Sequence, residues 1–250
     1  MRLRYCLLFV FFLCVSLSAR ADELIVSAAA SMTDVLQEIG KQFSKSSPET
    51  NIKFNFASSG ALQQQIEQGA PVDVFISAAK KQMEALQSKH LIDTTTRRNI
   101  VGADLVLITV NGNGVVHGWQ DLTSPSVHHI AISDPASVPS GEYTKEVFTA
   151  MGLWETLYPK FILGENVRQT LTYVESGNVE AGVVFKPDAL IAKNSLIVAT
   201  APSTTHAPIV YPAAVVLSSS HHDLAAQFVD YLASDEAQKI FQKYGFTLPQ

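Results

Sequence analysis

The chain has 250 residues, of which 47% are hydrophobic and 16% are charged, and its formal net charge is −5. This composition supplies enough apolar side chains for a buried core. An acidic chain without a basic run is a poor binder of nucleic acid, so that class of function is excluded.

Residues 1–21 are predicted to be a secretory signal peptide. Arg2 and Arg4 form a basic start, and the apolar stretch 7–17 is too short to span a bilayer comfortably. Ala19 and Ala21 then fit the small-x-small cleavage rule, which places the start of the mature chain at Asp22. The alternative is an uncleaved anchor. With cleavage, we expect the protein in the periplasm.

Both cysteines, Cys6 and Cys14, lie in the predicted signal peptide. The mature chain is therefore expected to hold no disulfide and no thiolate metal site. Removal of residues 1–21 leaves 15 basic against 23 acidic residues, a net charge near −8. A domain of this size can be stabilised by its own core.

Strand-like and helix-like patterns then alternate along the chain, which predicts an α/β fold with largely parallel sheets. The predicted strands are 24–26, 52–56, 74–77, 105–110, 130–133, 161–163, 181–185, 196–200 and 209–217. The predicted helices are 32–44, 60–68, 80–88, 141–151, 165–176, 222–232 and 235–243.

The number of strands is high for a single sheet, so we predict two lobes. The first lobe would contain residues 22–103 and 207–250, with the second, 104–206, inserted in it. The turn at 111–114 and the loop at 201–208 lie near the expected crossings. Ligands of open α/β sheets bind at the carboxyl ends of strands, which predicts a cleft between the lobes.

Four helix starts are expected at this cleft. Ser31 and Ser59 follow the first two strands, and Ser140 and Val167 stand at helix starts of the second half. Unpaired N–H groups and partial positive charge at a helix N-terminus suit an anion. Ordinary helix capping explains each turn alone, but four together favour a shared oxyanion held without a countercharge.

The chain resembles the periplasmic molybdate-binding proteins of ABC importers, the ModA family, over residues 23–248. The order and spacing of the matching segments make the resemblance specific. These segments are Ala28-Ala29-Ala30-Ser31, Phe56-Ala57-Ser58-Ser59, residues 69–78, Asp134-Pro135-x-x-Val138-Pro139-x-Gly141-x-Tyr143-x-Lys145, Glu165-Asn166-Val167-Arg168, Gly182-Val183-Val184-Phe185 and Phe241-x-x-Tyr244-Gly245-Phe246.

The resemblance implies a two-lobed, type II solute-binding fold that binds molybdate, and tungstate, for a membrane permease. Ser31 and Ser59 would donate hydroxyl and backbone N–H groups, and Ser140 and Val167 backbone N–H groups only. Molybdenum would enter only as the bound oxyanion, without direct protein ligands. The resemblance implies no enzymatic activity and no cofactor, and we expect a monomer.

Phe185 departs from the family, which has a tyrosine ligand at this position. The lost hydroxyl would weaken binding by about 1–3 kcal/mol unless a water or the Ser140 hydroxyl replaces it. Donors alone would reject a protonated anion such as hydrogen phosphate. Because the tyrosine hydroxyl is missing, sulfate or another tetrahedral oxyanion is an alternative ligand.

Two other functions and the role of Arg168 stay open at this point. A secreted hydrolase using Ser31 or Ser59 has little support, because the chain lacks a G-x-S-x-G motif. A receptor that signals rather than transports would have the same sequence features. Arg168 could add positive potential at the site or pair with a carboxylate such as Glu165. The pairs at 128–129 and 221–222 are interpreted as surface histidines, since adjacent side chains point apart.

Overall fold

The computed structural model describes residues 22–248, so the predicted signal peptide and its two cysteines lie outside the described residues. The described strands are β1 (Asp22–Ala29), β2 (Thr50–Ala57), β3 (Val74–Ile76), β4 (Arg98–Gly102), β5 (Leu105–Val110), β6 (Ile130–Ser133), β7 (Phe161–Gly164), β8 (Ala181–Phe185), β9 (Ser195–Thr200) and β10 (Val210–Val215). The helices are α1 (Thr33–Ser46), α2 (Ser59–Glu67), α3 (Lys80–Ser88), α4 (Pro139–Ala150), α5 (Trp154–Leu157), α6 (Val167–Glu175), α7 (Lys186–Ile191), α8 (His222–Leu232) and α9 (Asp235–Lys243).

The strands form two five-stranded sheets, with orders β2-β1-β3-β10-β4 and β7-β6-β8-β5-β9. Each sheet and the helices packed on it make one lobe. The first lobe contains β1–β4 and β10, and the second contains β5–β9. No helix within residues 22–248 has the length and apolarity needed to cross a membrane.

The sheets are mixed rather than largely parallel. Strands β2, β1 and β3 run parallel, as do β7, β6 and β8. Strand β10 is antiparallel to both of its neighbours, and β5 is antiparallel to β8 and β9. The apolar run 209–217 gave no sign of strand direction, because direction depends on the long connection that precedes the strand.

The chain crosses between lobes at two places. It leaves the first lobe between Gly102 and Leu105 and returns between Thr200 and Val210. The turn at 111–114 lies near the first crossing but is not part of it. Asn113 Nδ2 donates a hydrogen bond of 2.8 Å to the carbonyl of Glu180, which ties this turn inside the second lobe.

Helices cover both faces of the first sheet, so its strands are buried on both sides. Successive residues of β3 illustrate this, because Val74 and Ile76 belong to one apolar cluster and Phe75 to the other. Helices α1, α8 and α9 contribute to the first cluster, and α2 and α3 to the second. Burial on both faces explains why these strands appear as continuous apolar runs in the sequence.

The ends of the parallel strands are aligned, and this alignment positions the site. Ala29 at the end of β1 lies beside Ala57 at the end of β2. In the second lobe, Ser133 at the end of β6 lies beside Gly164 at the end of β7. The loops that follow these strands therefore meet at one edge of each sheet, and the two edges face each other.

Candidate oxyanion site

A small pocket lies between the two lobes at these strand ends. It contains about 200 Å³ of empty space, including its opening to solvent. This space is smaller than a pocket for a drug-sized organic ligand, so it suits a small ligand. The five residues predicted from the sequence all line it: Ser31, Ser59, Ser140, Val167 and Phe185. Among the residues that the structure describes, no charged side chain lines the pocket.

Ser31 does not cap a helix, although ordinary helix capping was one interpretation of this turn. It lies in a short 3₁₀ turn, Ala30–Met32, between β1 and α1, and no side chain caps α1. The Ser31 Oγ lies 3.0 Å from the hydroxyl of Tyr211 on β10. Both side chains are buried, and of the two only Ser31 lines the pocket.

Ser59 is the first residue of α2, and Ser58 is the residue that caps this helix. The Ser58 hydroxyl accepts a hydrogen bond from the N–H of Ala61. The Ser59 Oγ accepts one of 3.0 Å from the N–H of Ala78, two residues after the end of β3. A backbone N–H can only donate, so the Ser59 proton is left to point elsewhere, and the pocket lies in front of it.

Ser140 is the second residue of α4, and its hydroxyl is already committed. The Ser140 Oγ donates to Ser133 Oγ at 2.7 Å, and the Ser133 hydroxyl bonds to that of Thr170 at 2.9 Å. The Thr170 hydroxyl in turn donates to the carbonyl of Asn166. A hydroxyl has one proton, so the Ser140 side chain does not replace the donor missing at Phe185. Its contribution to the pocket is the backbone N–H.

Val167 begins α6, and the residue before it explains why its N–H remains available. The Asn166 side chain accepts hydrogen bonds from the N–H groups of Arg168 and Gln169. These are the second and third N–H groups of the helix, so the cap leaves the first one, on Val167, facing the pocket. The partial positive charge of the helix N-terminus adds to its attraction for an anion.

Phe185 ends β8 and forms an apolar part of the wall. It is buried, and its ring packs edge-to-face against Tyr211, with ring centroids 5.8 Å apart, and against Tyr143 at 6.3 Å. The position contributes surface but no donor. The polar groups of the pocket come from the serines and from helix N-termini.

Arg168 links the lobes through ion pairs, and its carboxylate partners differ from the one suggested by sequence. Its Nη1 lies 2.8 Å from Asp34 of the first lobe, and its Nε lies 2.6 Å from Asp188 of the second. The sequence suggested Glu165 instead. Asp188 is fully buried, and this burial raises its pKa to about 7 against the opposing effect of Arg168. Asp34 and Asp188 were missed because each is distant from Arg168 in sequence.

Other contacts also join the lobes around the pocket. The N–H of Gly60 donates to the carbonyl of Ser137 at 3.2 Å. Glu142 on α4 accepts hydrogen bonds from Lys81 at 2.8 Å and from Gln82 at 3.0 Å, both on α3. The lobes are therefore in contact, and the pocket is in a closed arrangement.

The arrangement suits binding rather than nucleophilic catalysis. In the part of the chain that the structure describes, the hydroxyls of Ser31 and Ser59 contact a tyrosine hydroxyl and a backbone N–H. Neither partner is the general base that activates a serine nucleophile. No group of three or more potential metal-ligating His, Cys, Asp or Glu side chains occurs in residues 22–248. His222 Nε2 lies 2.9 Å from Asp93 Oδ2, and neither residue lines the pocket.

Known proteins resemble this chain in both sequence and fold. Residues 24–247 match the family described as bacterial extracellular solute-binding protein. A putative ABC transporter substrate-binding lipoprotein, YvgL of Bacillus subtilis, is 45% identical, with 92% of this chain and 88% of that protein covered. The molybdate-binding protein ModA of Escherichia coli is 39% identical, with 92% of each covered. The solved structure of the periplasmic molybdate-binding protein of Azotobacter vinelandii superposes with a TM-score of 0.82 at 28% identity, covering 91% of this chain and 100% of that one.

Proposed function

Because this chain belongs to the bacterial extracellular solute-binding protein family, we propose that it binds molybdate for an ABC importer. Relatives named molybdate-binding proteins, including the Escherichia coli protein, are similar over nearly the whole chain. Solute-binding proteins are not a class of enzymes, and the chemistry of the pocket is consistent with that. The protein delivers the anion to a membrane permease.

The observation that carries this proposal is the convergence of uncharged donors on one small pocket. From the first lobe come the Ser31 and Ser59 hydroxyls and the N–H of Ser59 at the start of α2. From the second lobe come the N–H groups of Ser140 and Val167, at the starts of α4 and α6. Donors with no competing acceptor satisfy a fully deprotonated tetrahedral dianion.

Binding couples to lobe closure. A ligand that touches both lobes favours the closed form by the difference between its affinities for the closed and open forms. The bond between Gly60 and Ser137 and the ion pair between Arg168 and Asp34 lie across the same cleft and add to that preference. The closed shape is then the form that docks on the permease.

The same donors explain the expected selectivity. Hydrogen phosphate carries a proton that finds no acceptor among these groups, and an unsatisfied buried polar group costs about 1–3 kcal/mol. Tungstate has the same charge and shape as molybdate, so we propose that it binds as well. Phe185 supplies no hydroxyl, so the affinity is expected to be lower than with tyrosine at this position.

Calorimetric titration of the purified protein with molybdate, tungstate, sulfate and hydrogen phosphate tests the proposal. Molybdate and tungstate are expected to bind at one site per chain, with sulfate weaker and hydrogen phosphate weakest. Equal affinity for sulfate and molybdate would refute the molybdate assignment while leaving an oxyanion receptor. If no anion binds, the proposed function is wrong.

We further propose a monomeric protein in the periplasm, in agreement with the signal peptide predicted at 1–21. Light scattering coupled to size exclusion gives the mass in solution, and a dimer would contradict this part. Fractionation of cells expressing the full chain, with detection of a product that begins at Asp22, tests the export. Product retained in the membrane fraction would indicate an anchored protein instead.

A further inference from the structure

Tyr211 stands directly behind one of the donors of the pocket. It lies on the interior strand β10, and no part of its side chain is exposed. Its hydroxyl is 3.0 Å from Ser31 Oγ, a residue 180 positions away in the sequence. Its ring packs edge-to-face on Phe185 and Phe246, with centroids 5.8 and 5.4 Å apart, so the hydroxyl is fixed in place.

The pair of hydroxyls can be arranged in two ways, and burial makes them unequal. If Ser31 donates to Tyr211, the tyrosine proton has no acceptor, since Ser31 is the only hydrogen-bond partner of that hydroxyl among the described residues. An orphaned buried donor is unfavourable. If Tyr211 donates to Ser31, both protons are used once an anion occupies the pocket. Burial raises the pKa of the Tyr211 hydroxyl, which therefore keeps its proton.

We propose that Tyr211 is a positioning residue that fixes Ser31 as a donor toward the ligand. Ser59 has a comparable hydrogen bond, because its hydroxyl accepts from the N–H of Ala78 and keeps its own proton. Each serine of the first lobe thus accepts one hydrogen bond from the protein and has one proton left for a ligand. Tyr211 itself does not line the pocket, so it acts through Ser31 rather than on the anion. This inference rests on the proposed oxyanion function.

A double-mutant cycle between Tyr211→Phe and Ser31→Ala tests the inference, with molybdate affinity measured by calorimetry. Tyr211→Phe is expected to lower the affinity roughly three- to tenfold, the equivalent of one net hydrogen bond. In the Ser31→Ala background the same change is expected to have no further effect, because the group that it orients is gone. Tyr244→Phe is the matched control, since its hydroxyl bonds to Glu38 on α1 and not to a pocket residue.

Unchanged affinity in Tyr211→Phe, or an equal loss in both backgrounds, would overturn the inference. A wild-type protein that binds no oxyanion would instead refute the proposed function, and one that prefers sulfate allows the same cycle with sulfate. If Tyr211→Phe does not fold, the Ser31→Ala variant alone tests the pairing of the two hydroxyls. That change orphans the Tyr211 hydroxyl and is expected to lower the melting temperature without ligand, so an unchanged melting temperature would refute the pairing.

Discussion

Substitution of Gly60 by alanine is expected to weaken ligand binding without weakening the fold. Gly60 is the second residue of α2 and approaches the second lobe closely. An added Cβ would lie 2.3 Å from the carbonyl oxygen of Ser137 and 3.1 Å from its carbon. Neither backbone atom can rotate away, so the lobes must separate at this point by about 1 Å to reach ordinary van der Waals distance.

Two effects of opposite sign follow from this geometry. Separation breaks the Gly60–Ser137 hydrogen bond, which is worth about 0.5–1.5 kcal/mol. Ser140 is three residues after Ser137, so separation also moves the Ser140 N–H away from the first-lobe donors. The total loss of affinity is expected to be roughly tenfold or more. Alanine is meanwhile the better helix former, by up to about 1 kcal/mol in a helix interior. The melting temperature without ligand should therefore stay the same or rise.

Calorimetry with molybdate and thermal unfolding with and without molybdate separate these effects. A tenfold loss of affinity removes about 1.4 kcal/mol of stabilisation at saturating ligand, so the ligand-induced rise in melting temperature shrinks. Gly118→Ala is the matched control, because no atom lies within 4 Å of the Cβ that it would add. If Gly60→Ala binds as tightly as the wild type, the contact is not part of the ligand-bound form and the reasoning on closure is wrong.

Three further predictions concern the pocket and the buried ion pair. Ser59→Ala should weaken molybdate binding roughly ten- to a hundredfold. Ser140→Ala should change the affinity less than roughly threefold, because the Ser140 hydroxyl donates to Ser133 and not to the pocket. Calorimetry on both variants tests the contrast. Phe185→Tyr should raise the affinity roughly tenfold by restoring a donor, and an unchanged value would show that the added hydroxyl does not reach the ligand. Burial raises the pKa of Asp188 to about 7, whereas the same carboxyl in the unfolded chain has a pKa of about 4. Between these pH values the folded chain holds a proton that the unfolded chain has lost. The contribution of Asp188 to the free energy of unfolding therefore falls as the pH rises from about 4 to 7. Urea unfolding across this range should show a smaller fall in Asp188→Asn, and parallel curves would contradict the assignment.

The position of the site could be predicted from the sequence because it depends on local patterns. Ser31 and Ser59 follow apolar runs that end in small residues, and the ends of parallel strands meet at one edge of a sheet. Strand β4 was missed, since it begins with the polar pair Arg98 and Asn99 at the edge of its sheet. Helix α7, directly after Phe185, was missed because it has only six residues.

The relations between side chains could not be predicted, because they depend on distant parts of the chain. Tyr211 lies in an apolar run that indicated only core, and its hydroxyl partner is 180 residues away. Arg168 offered an acidic neighbour at Glu165, yet its partners are Asp34 and Asp188. Local spacing indicates which groups reach a cleft, but it does not indicate which group lies behind each of them.

The interior position of β10 in the first sheet has a consequence for how the chain folds. Strand β10 separates β3 from β4, so those two strands have no common partner until residues near the C-terminus are present. The second sheet is built from one continuous stretch, β5–β9, and needs nothing from either end. During synthesis, the inserted lobe can therefore be complete while its host still lacks an interior strand. Because pairing over such long sequence separation is slow, we expect the pairing of β10 with β3 and β4 to be a late step of folding.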